Sequence, residues 1–141
     1  MSLSIIIPCK NEEQNIEQTI ETICSYISGK IHDYQINVIN DFSTDNTSNI
    51  LNQISKKNKK IKIFENEKRG LGGAINCGIS NSDKKYSIIV MADLSDSPND
   101  IVRYYNEISD KNLDAVLGSR FLKNSEVIDY PKKKIDNKSD I

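Results

Sequence analysis

Neither sign of charge dominates this sequence: 19 basic residues are set against 20 acidic ones, for a formal net charge of −1. A chain without a basic excess is not expected to bind nucleic acid. Lysines do cluster at 56–62 and 132–138, and they read as solvated faces. Cysteine is scarce as well. Cys9, Cys24 and Cys77 stand at wide spacings with no C-x-x-C pair, which argues against a zinc site and fits free thiols in a reducing compartment. No apolar run approaches the ~20 residues that span a bilayer. No basic leader precedes the first apolar segment, Leu3 to Ile7. The expectation is a cytoplasmic chain without a transmembrane segment, at most peripheral at the cytoplasmic face of a membrane.

What is present is an alternation of short apolar runs with helical patterns. The 141 residues, 37% of them hydrophobic and 28% charged, suffice for one domain with one core. Leu3 to Ile7 reads as a buried strand stopped by Pro8. Ile16, Ile20, Ile23 and Ile27 recur at helical spacing, predicting a helix from Glu12 to near Gly29 with Asn11 as its cap. A strand at Gln35 to Ile39 precedes a helix carrying Ile50, Leu51 and Ile54. Lys60 to Phe64 alternates lysine with isoleucine and predicts an edge strand. Arg69 to Ala74 opens a helix running through Ile75 and Ile79, with Gly70, Gly72 and Gly73 permitting a tight entry. Tyr86 to Met91 predicts a fourth strand, Pro98 starts a helix bearing Ile101, Val102, Tyr105 and Ile108, and Asp114 to Leu117 predicts a fifth strand. The fold class is therefore α/β, a mostly parallel sheet with helices on both faces. The periodicity stops after Phe121, so residues 1–121 form the expected domain and 122–141 a poorly ordered tail.

Parallel strands place their carboxyl ends, and any ligand, on one rim. Four of these ends carry polar groups: Lys10 and Glu12 after the first strand, Asp41 after the second, Asp93 after the fourth and Arg120 after the fifth. Asp93 and Asp96 follow the apolar run Ile88 to Met91 and suit a hard cation that bridges to phosphate oxygens. For Asp96 and Ser97 a plainer reading is available, capping of the helix that Pro98 begins. The glycines do not make a dinucleotide fingerprint, because they follow the third strand and not the first. A receiver-type signalling domain has a comparable length but needs an acidic pair after the first strand, where this chain has Cys9-Lys10-Asn11.

Five segments in order, S-I-I-I-P-C-K-N-E-E at 4–13, V-I-N-D-F-S-T-D-N-T at 38–47, R-G-L-G-G-A at 69–74, M-A-D-L-S-D-S-P at 91–98 and A-V-L-G-S-R-F at 115–121, resemble the family 2 glycosyltransferases of the GT-A type. The dolichyl-phosphate mannosyltransferase-like branch is the most similar. The resemblance implies the Rossmann-like nucleotide-binding half of a GT-A fold. It also implies transfer of a sugar from a nucleoside-diphosphate donor (GDP-mannose or a UDP-hexose) to a polyprenyl phosphate or glycan acceptor, with inversion and with Mg²⁺ or Mn²⁺. By the same resemblance Pro8, Lys10 and Glu12 border the nucleotide, Ile39 and Asp41 contact the base, and Ala92 and Asp93 belong to the metal motif. Arg120 lies near the diphosphate or the sugar, making Asp93 and Arg120 the implied catalytic pair. Met91 stands where the family commonly has the first acid of that motif, and Asn40 where it commonly has an Asp, so the expectation is either that the metal is held more weakly or that Asp96 helps Asp93 hold it. The family's acceptor-binding half is not represented before the lysine-rich tail, which reads as a cut end; the alternative function is a catalytically inactive nucleotide-sugar-binding or interaction fragment.

Overall fold

From Leu3 to Cys9 every residue of β1 (Ser2–Cys9) is buried. A strand buried along its length needs both sheet faces covered, and β1 lies inside the sheet with helices on either side. The computed structural model describes residues 2–118. In chain order β1 is followed by α1 (Ile16–Ile27), β2 (Asp33–Asn40), α2 (Thr47–Lys57), β3 (Ile61–Glu65), α3 (Leu71–Ser80), β4 (Tyr86–Ile89) and α4 (Pro98–Asp110). The four strands are parallel in the order β3-β2-β1-β4, with β3 at an edge as its lysine alternation predicts. The chain moves outward from β1 through β2 to β3 and then returns to the other side of β1. That reversal between β1 and β4 is the switch point at which open α/β sheets bind ligands, and the order differs from the flavodoxin-like order of receiver domains.

The period of two along β1 separates two cores. Leu3, Ile5, Ile7 and Cys9 meet Ile16, Ile20, Ile23 and Ile27 of α1, Leu51 of α2 and Ile101 of α4. Ile6 faces the other way, with Ile39, Ala74, Phe64 and Cys77 beneath α3. On that second face Gln35 and Asn37 are buried as a hydrogen-bonded pair, and Asn37 also donates to the Asn81 carbonyl at 3.3 Å. Amide side chains thus satisfy one another beside the C-terminal end of α3, whose C-cap is Asn81.

Several boundaries differ from the sequence expectation. β1 runs through Pro8, which pairs with Ile39. Asp41 N–H donates to the Cys9 carbonyl and Val90 N–H to that of Ile6, so odd residues of β1 bond toward β2 and even ones toward β4. The β4 ladder ends at Ile6, and the missing N–H of Pro8 therefore falls where no strand would receive it. α1 begins at Ile16, after a turn in which Asn15 and Ile16 N–H share the Glu12 carbonyl, and Asn11 does not cap it. Ser97 is the N-cap of α4 without a side-chain bond to the helix, and Pro98 is its first residue. The fifth strand is absent: residues 114–118 are not paired to the sheet, and Leu117 is 92% exposed. β4 is the terminal strand of the sheet and only four residues long, and no hydrogen bond joins its outer edge to this segment among the described residues. Arg120, the domain boundary at 121 and the tail at 122–141 lie outside the described residues.

Candidate functional site

The loops after β1, β2 and β4 leave the sheet at one rim, and each turns through a single left-handed residue: Asn11 (φ 53°), Phe42 (φ 55°) and Leu94 (φ 59°). Asparagine tolerates that conformation, whereas Phe42 and Leu94 are strained in it, as residues near functional sites often are. The first two loops are laced together. Asn11 N–H donates to Ser43 Oγ at 3.0 Å, Thr44 N–H to Asn11 Oδ1 at 2.8 Å, Glu12 N–H to Thr47 Oγ1 at 2.9 Å and Asn46 N–H to Glu13 Oε2 at 2.9 Å. Much of the K-N-E-E and S-T-D-N-T segments is therefore scaffold that satisfies backbone groups leaving the sheet. The loop after β4 is tied differently. The buried Thr19 hydroxyl of α1 donates to the Ala92 carbonyl at 2.7 Å, and Asp93 Oδ1 accepts Ser95 N–H at 3.0 Å.

Between these loops and the start of α3 lies a cleft of ≈ 370 Å³. Pro8 and Cys9 line it from β1, Lys10 and Glu12 from the loop after it, Asp41 from just past β2, Gly70, Leu71 and Ala74 from α3 and its entry, and Met91, Ala92 and Asp93 from the loop after β4. Its size suits a small-molecule ligand, and its place is the β1/β4 switch point. Asp41, only 5% exposed, accepts Asn66 Nδ2 at 2.7 Å and Gly70 N–H at 3.0 and 3.1 Å. Burial raises its pKa, but the Gly70 and Asn66 hydrogen bonds and the charges of Lys10 and Arg69 outweigh burial and hold the carboxyl below its ordinary range. Cys9 is the opposite case: burial, then Glu12 and Asp45, push its thiol up to about 12, so it packs and does not act as a nucleophile.

The glycine segment meets Asp41 by backbone geometry. Gly70 has φ 106°, which L side chains rarely adopt, and this aims its N–H at the carboxylate. A Cβ on Gly73 would lie 1.7 Å from the Lys68 carbonyl oxygen. Arg69 stacks on the Phe42 ring, its guanidinium carbon 4.8 Å from the centroid.

Six of the residues singled out in the sequence converge on the cleft: Pro8, Lys10, Glu12, Asp41, Ala92 and Asp93. Ile39 does not line it, because its side chain is fully buried beneath α3. Asp96 turns away and accepts Met91 N–H at 2.8 Å, closing the loop instead of capping α4 or facing the cleft. Asn40 faces β3, where its amide donates to both oxygens of Glu65 at 3.1 and 2.9 Å, and an Asp there would oppose that carboxylate. Among the described residues no group of three or more His, Cys, Asp and Glu could hold a metal by itself. A single carboxylate such as Asp93 does fit Mg²⁺ or Mn²⁺, which keep several waters and take one or two carboxylates together with phosphate oxygens. Sequence reasoning missed Asn66 and Thr19. Asn66 carries no periodic or spacing signal, and Thr19 falls on the buried stripe of α1 with Ile16, Ile20 and Ile23 but acts on a carbonyl that only the fold brings near.

The glycosyl transferase family 2 model matches residues 4–140. This chain belongs to glycosyl transferase family 2. It is 29% identical over 131 residues to the dolichol-phosphate mannosyltransferase of Pyrococcus furiosus, covering 93% of this chain and 36% of that protein. It is also 29% identical over 129 residues to the poly-beta-1,6-N-acetyl-D-glucosamine synthase of Staphylococcus aureus, covering 89% of this chain and 30% of that one. The chain thus spans about a third of the length of these curated relatives. Among solved structures, residues 1–349 of S. aureus TarS superimpose with a TM-score of 0.63 at 19% identity, over 79% of this chain and 33% of that one. The mannosyltransferase PcManGT of Pyrobaculum calidifontis, solved with GDP-Man and Mn²⁺, gives a TM-score of 0.63 at 21% identity, over 76% of this chain and 32% of that one. At these identities the likeness establishes the fold: the family 2 chain has the mostly parallel, Rossmann-like half of the GT-A architecture. Among its described residues no helix is long and apolar enough to cross a membrane.

Proposed function

We propose that this chain binds a nucleoside-diphosphate sugar in the β1/β4 cleft and contributes the donor site of a glycosyltransferase, which passes the sugar to a polyprenyl phosphate or a glycan acceptor with inversion. The observation that carries the reading is the cleft itself, lined by a buried, ionised Asp41 from one strand end and by Asp93 from another. Asp41 is a ready acceptor for a base N–H, and Glu12 can accept from base or ribose. Lys10 lines the same cleft and supplies positive charge toward the diphosphate. Asp93 would hold Mg²⁺ or Mn²⁺ against the diphosphate oxygens, and that cation, when bound, neutralises charge on the departing nucleoside diphosphate. Leu71 and Ala74 give the donor an apolar wall that excludes water around these groups. Arg120 adds a fixed positive charge to the leaving group in this reading. An acceptor phosphate is already ionised at neutral pH and needs no protein base. A lipid phosphate acceptor places the chain at the cytoplasmic face of a membrane.

A second reading, nucleotide-sugar binding without transfer, is favoured by Met91 in the cleft and by Asp96 turned onto the backbone, which leave Asp93 as the one carboxylate after β4 that lines the cleft. Calorimetric titration with GDP-mannose and UDP-glucose, each with Mn²⁺ and with chelator, tests the donor site. Metal-dependent binding of one donor is the expected outcome, and a folded chain that binds neither would overturn it. Release of the nucleoside diphosphate in the presence of a polyprenyl phosphate then separates transfer from binding alone.

A further inference from the structure

Asn66 lies just past the end of β3, where its backbone N–H donates to the Asn40 carbonyl at 2.9 Å and so extends the β2–β3 ladder by one bond. Its side chain is 5% exposed and does not line the cleft. The amide instead serves the interior of the glycine loop. Nδ2 donates to Asp41 Oδ1 at 2.7 Å and to the Lys68 carbonyl at 2.7 Å, with the Gly70 carbonyl at 3.3 Å, while its own Oδ1 accepts Lys68 N–H at 3.2 Å. A single amide therefore ties the carboxylate on β2 to both ends of the turn that opens α3. The donors on Asp41 are unevenly shared. Oδ1 takes Asn66 and Gly70, whereas Oδ2 receives the Gly70 N–H alone, at 3.1 Å. Each carboxylate oxygen has two lone pairs, so the acceptor capacity left over is mainly on Oδ2.

We infer that Asn66 is a positioning residue for the ligand of this cleft: it clamps Oδ1 of Asp41 and the Gly70 turn together, so that Oδ2 is presented to the cleft as a fixed acceptor for a ligand N–H or O–H. The inference rests on the donor-site reading above and specifies how its base contact is built. Preorganisation of this kind avoids ordering the acceptor at the moment of binding. The charged groups around Asp41 are Lys10 after β1 and Arg69 before α3, with Glu12 and Asp93 on the same cleft. Both cations act on the carboxylate whether or not Asn66 is present, so the amide has an effect separable from theirs.

The test has an arm that needs no nucleotide. Carbon NMR of the Asp41 carboxyl and nitrogen NMR of the Asn66 amide, followed against pH in the unsubstituted chain, should give one shared midpoint below the ordinary carboxylate range. Asn66→Asp keeps the size and the acceptor for Lys68 N–H but replaces the donor by a carboxyl group. In this variant the Asp41 midpoint should rise by a pH unit or more, and the affinity for UDP or GDP with Mn²⁺ at pH 7 should fall by about tenfold or more. The loss of affinity on acidification should also begin at a higher pH. An Asn66 amide that ignores the Asp41 titration, or a folded Asn66→Asp chain with Asp41 midpoint and affinity unchanged, would overturn the inference. If the unsubstituted chain binds neither nucleotide, the donor-site reading fails, and the two NMR titrations still decide whether Asn66 governs Asp41.

Discussion

Two neighbouring residues at the end of β2 show how position on a strand sets the role of a side chain. Asn40 and Asp41 point to opposite faces, Asn40 toward Glu65 on β3 and Asp41 toward the glycine loop. The register pairs Asn40 directly with Glu65. A neutral donor there satisfies the carboxylate, whereas Asn40→Asp places two acids opposite each other. We expect that change to cost about 1–3 kcal/mol at neutral pH, read by urea denaturation. Adding Glu65→Gln should restore most of the loss, because the donor then sits on the other side. A double variant no more stable than Asn40→Asp would show that the pair is not the cause. Asp41 predicts a pH dependence. Its folded pKa is lowered, so its contribution to stability is fully present above the ordinary carboxylate pKa of about 3.9 and is lost as pH falls through the folded value. Asp41→Asn should be less stable than the native chain at pH 7, and the gap should narrow below about pH 4. A gap independent of pH would mean that the carboxylate charge does not matter there.

Among the helices, α3 is the one whose entry decides the site. It lies on its own face of the sheet, buries Ala74 and Gly78, and approaches closely enough that a Cβ on Gly78 would lie 2.3 Å from Ile6 Cγ2. Its first turn contains two glycines of different kinds. At Gly73 a Cβ would collide with the Lys68 backbone carbonyl, whereas at Gly72 nothing lies within 4 Å. Gly73→Ala is therefore expected to displace the turn that carries Gly70, losing nucleotide affinity together with stability. Gly72→Ala should leave stability unchanged or raise it by up to about 1 kcal/mol, the ordinary helix preference of alanine. Comparable losses in both variants, by denaturation, would count against the packing argument. The sequence segment R-G-L-G-G-A announced a tight helix entry, but its three glycines look alike in one dimension. Their difference comes from the distance to Lys68, which no local pattern encodes.

The whole molecule places chemistry at one rim because all four described strands are parallel and their order reverses between β1 and β4. The rim gives the cleft acids from separate strand ends, with Asp41 tied to backbone and amide donors and Asp93 in the loop that Thr19 anchors from α1. If the diphosphate and cation sit at Asp93, Asp93→Ala should abolish the metal dependence of nucleotide binding while leaving the melting temperature within a few degrees. Unchanged metal-dependent affinity in calorimetry would move the cation elsewhere. Asp96→Ala should instead loosen the loop through Met91 and weaken binding with or without metal.

What the sequence by itself determined is the alternation of strands and helices, the α/β class, the edge position of β3 and the rim that gathers Lys10, Glu12, Asp41 and Asp93. These follow from periodicity and from the rule that parallel strands end on one side, and both are readable along the chain. Only the tertiary structure decided that Asp96 closes its own loop, that Ile39 is core, that residues 114–117 remain unpaired and that Asn66 reaches Asp41 across 25 positions. The reason is physical. A side chain's partner depends on strand register and on which face of the sheet a helix covers, and both are properties of the packed whole.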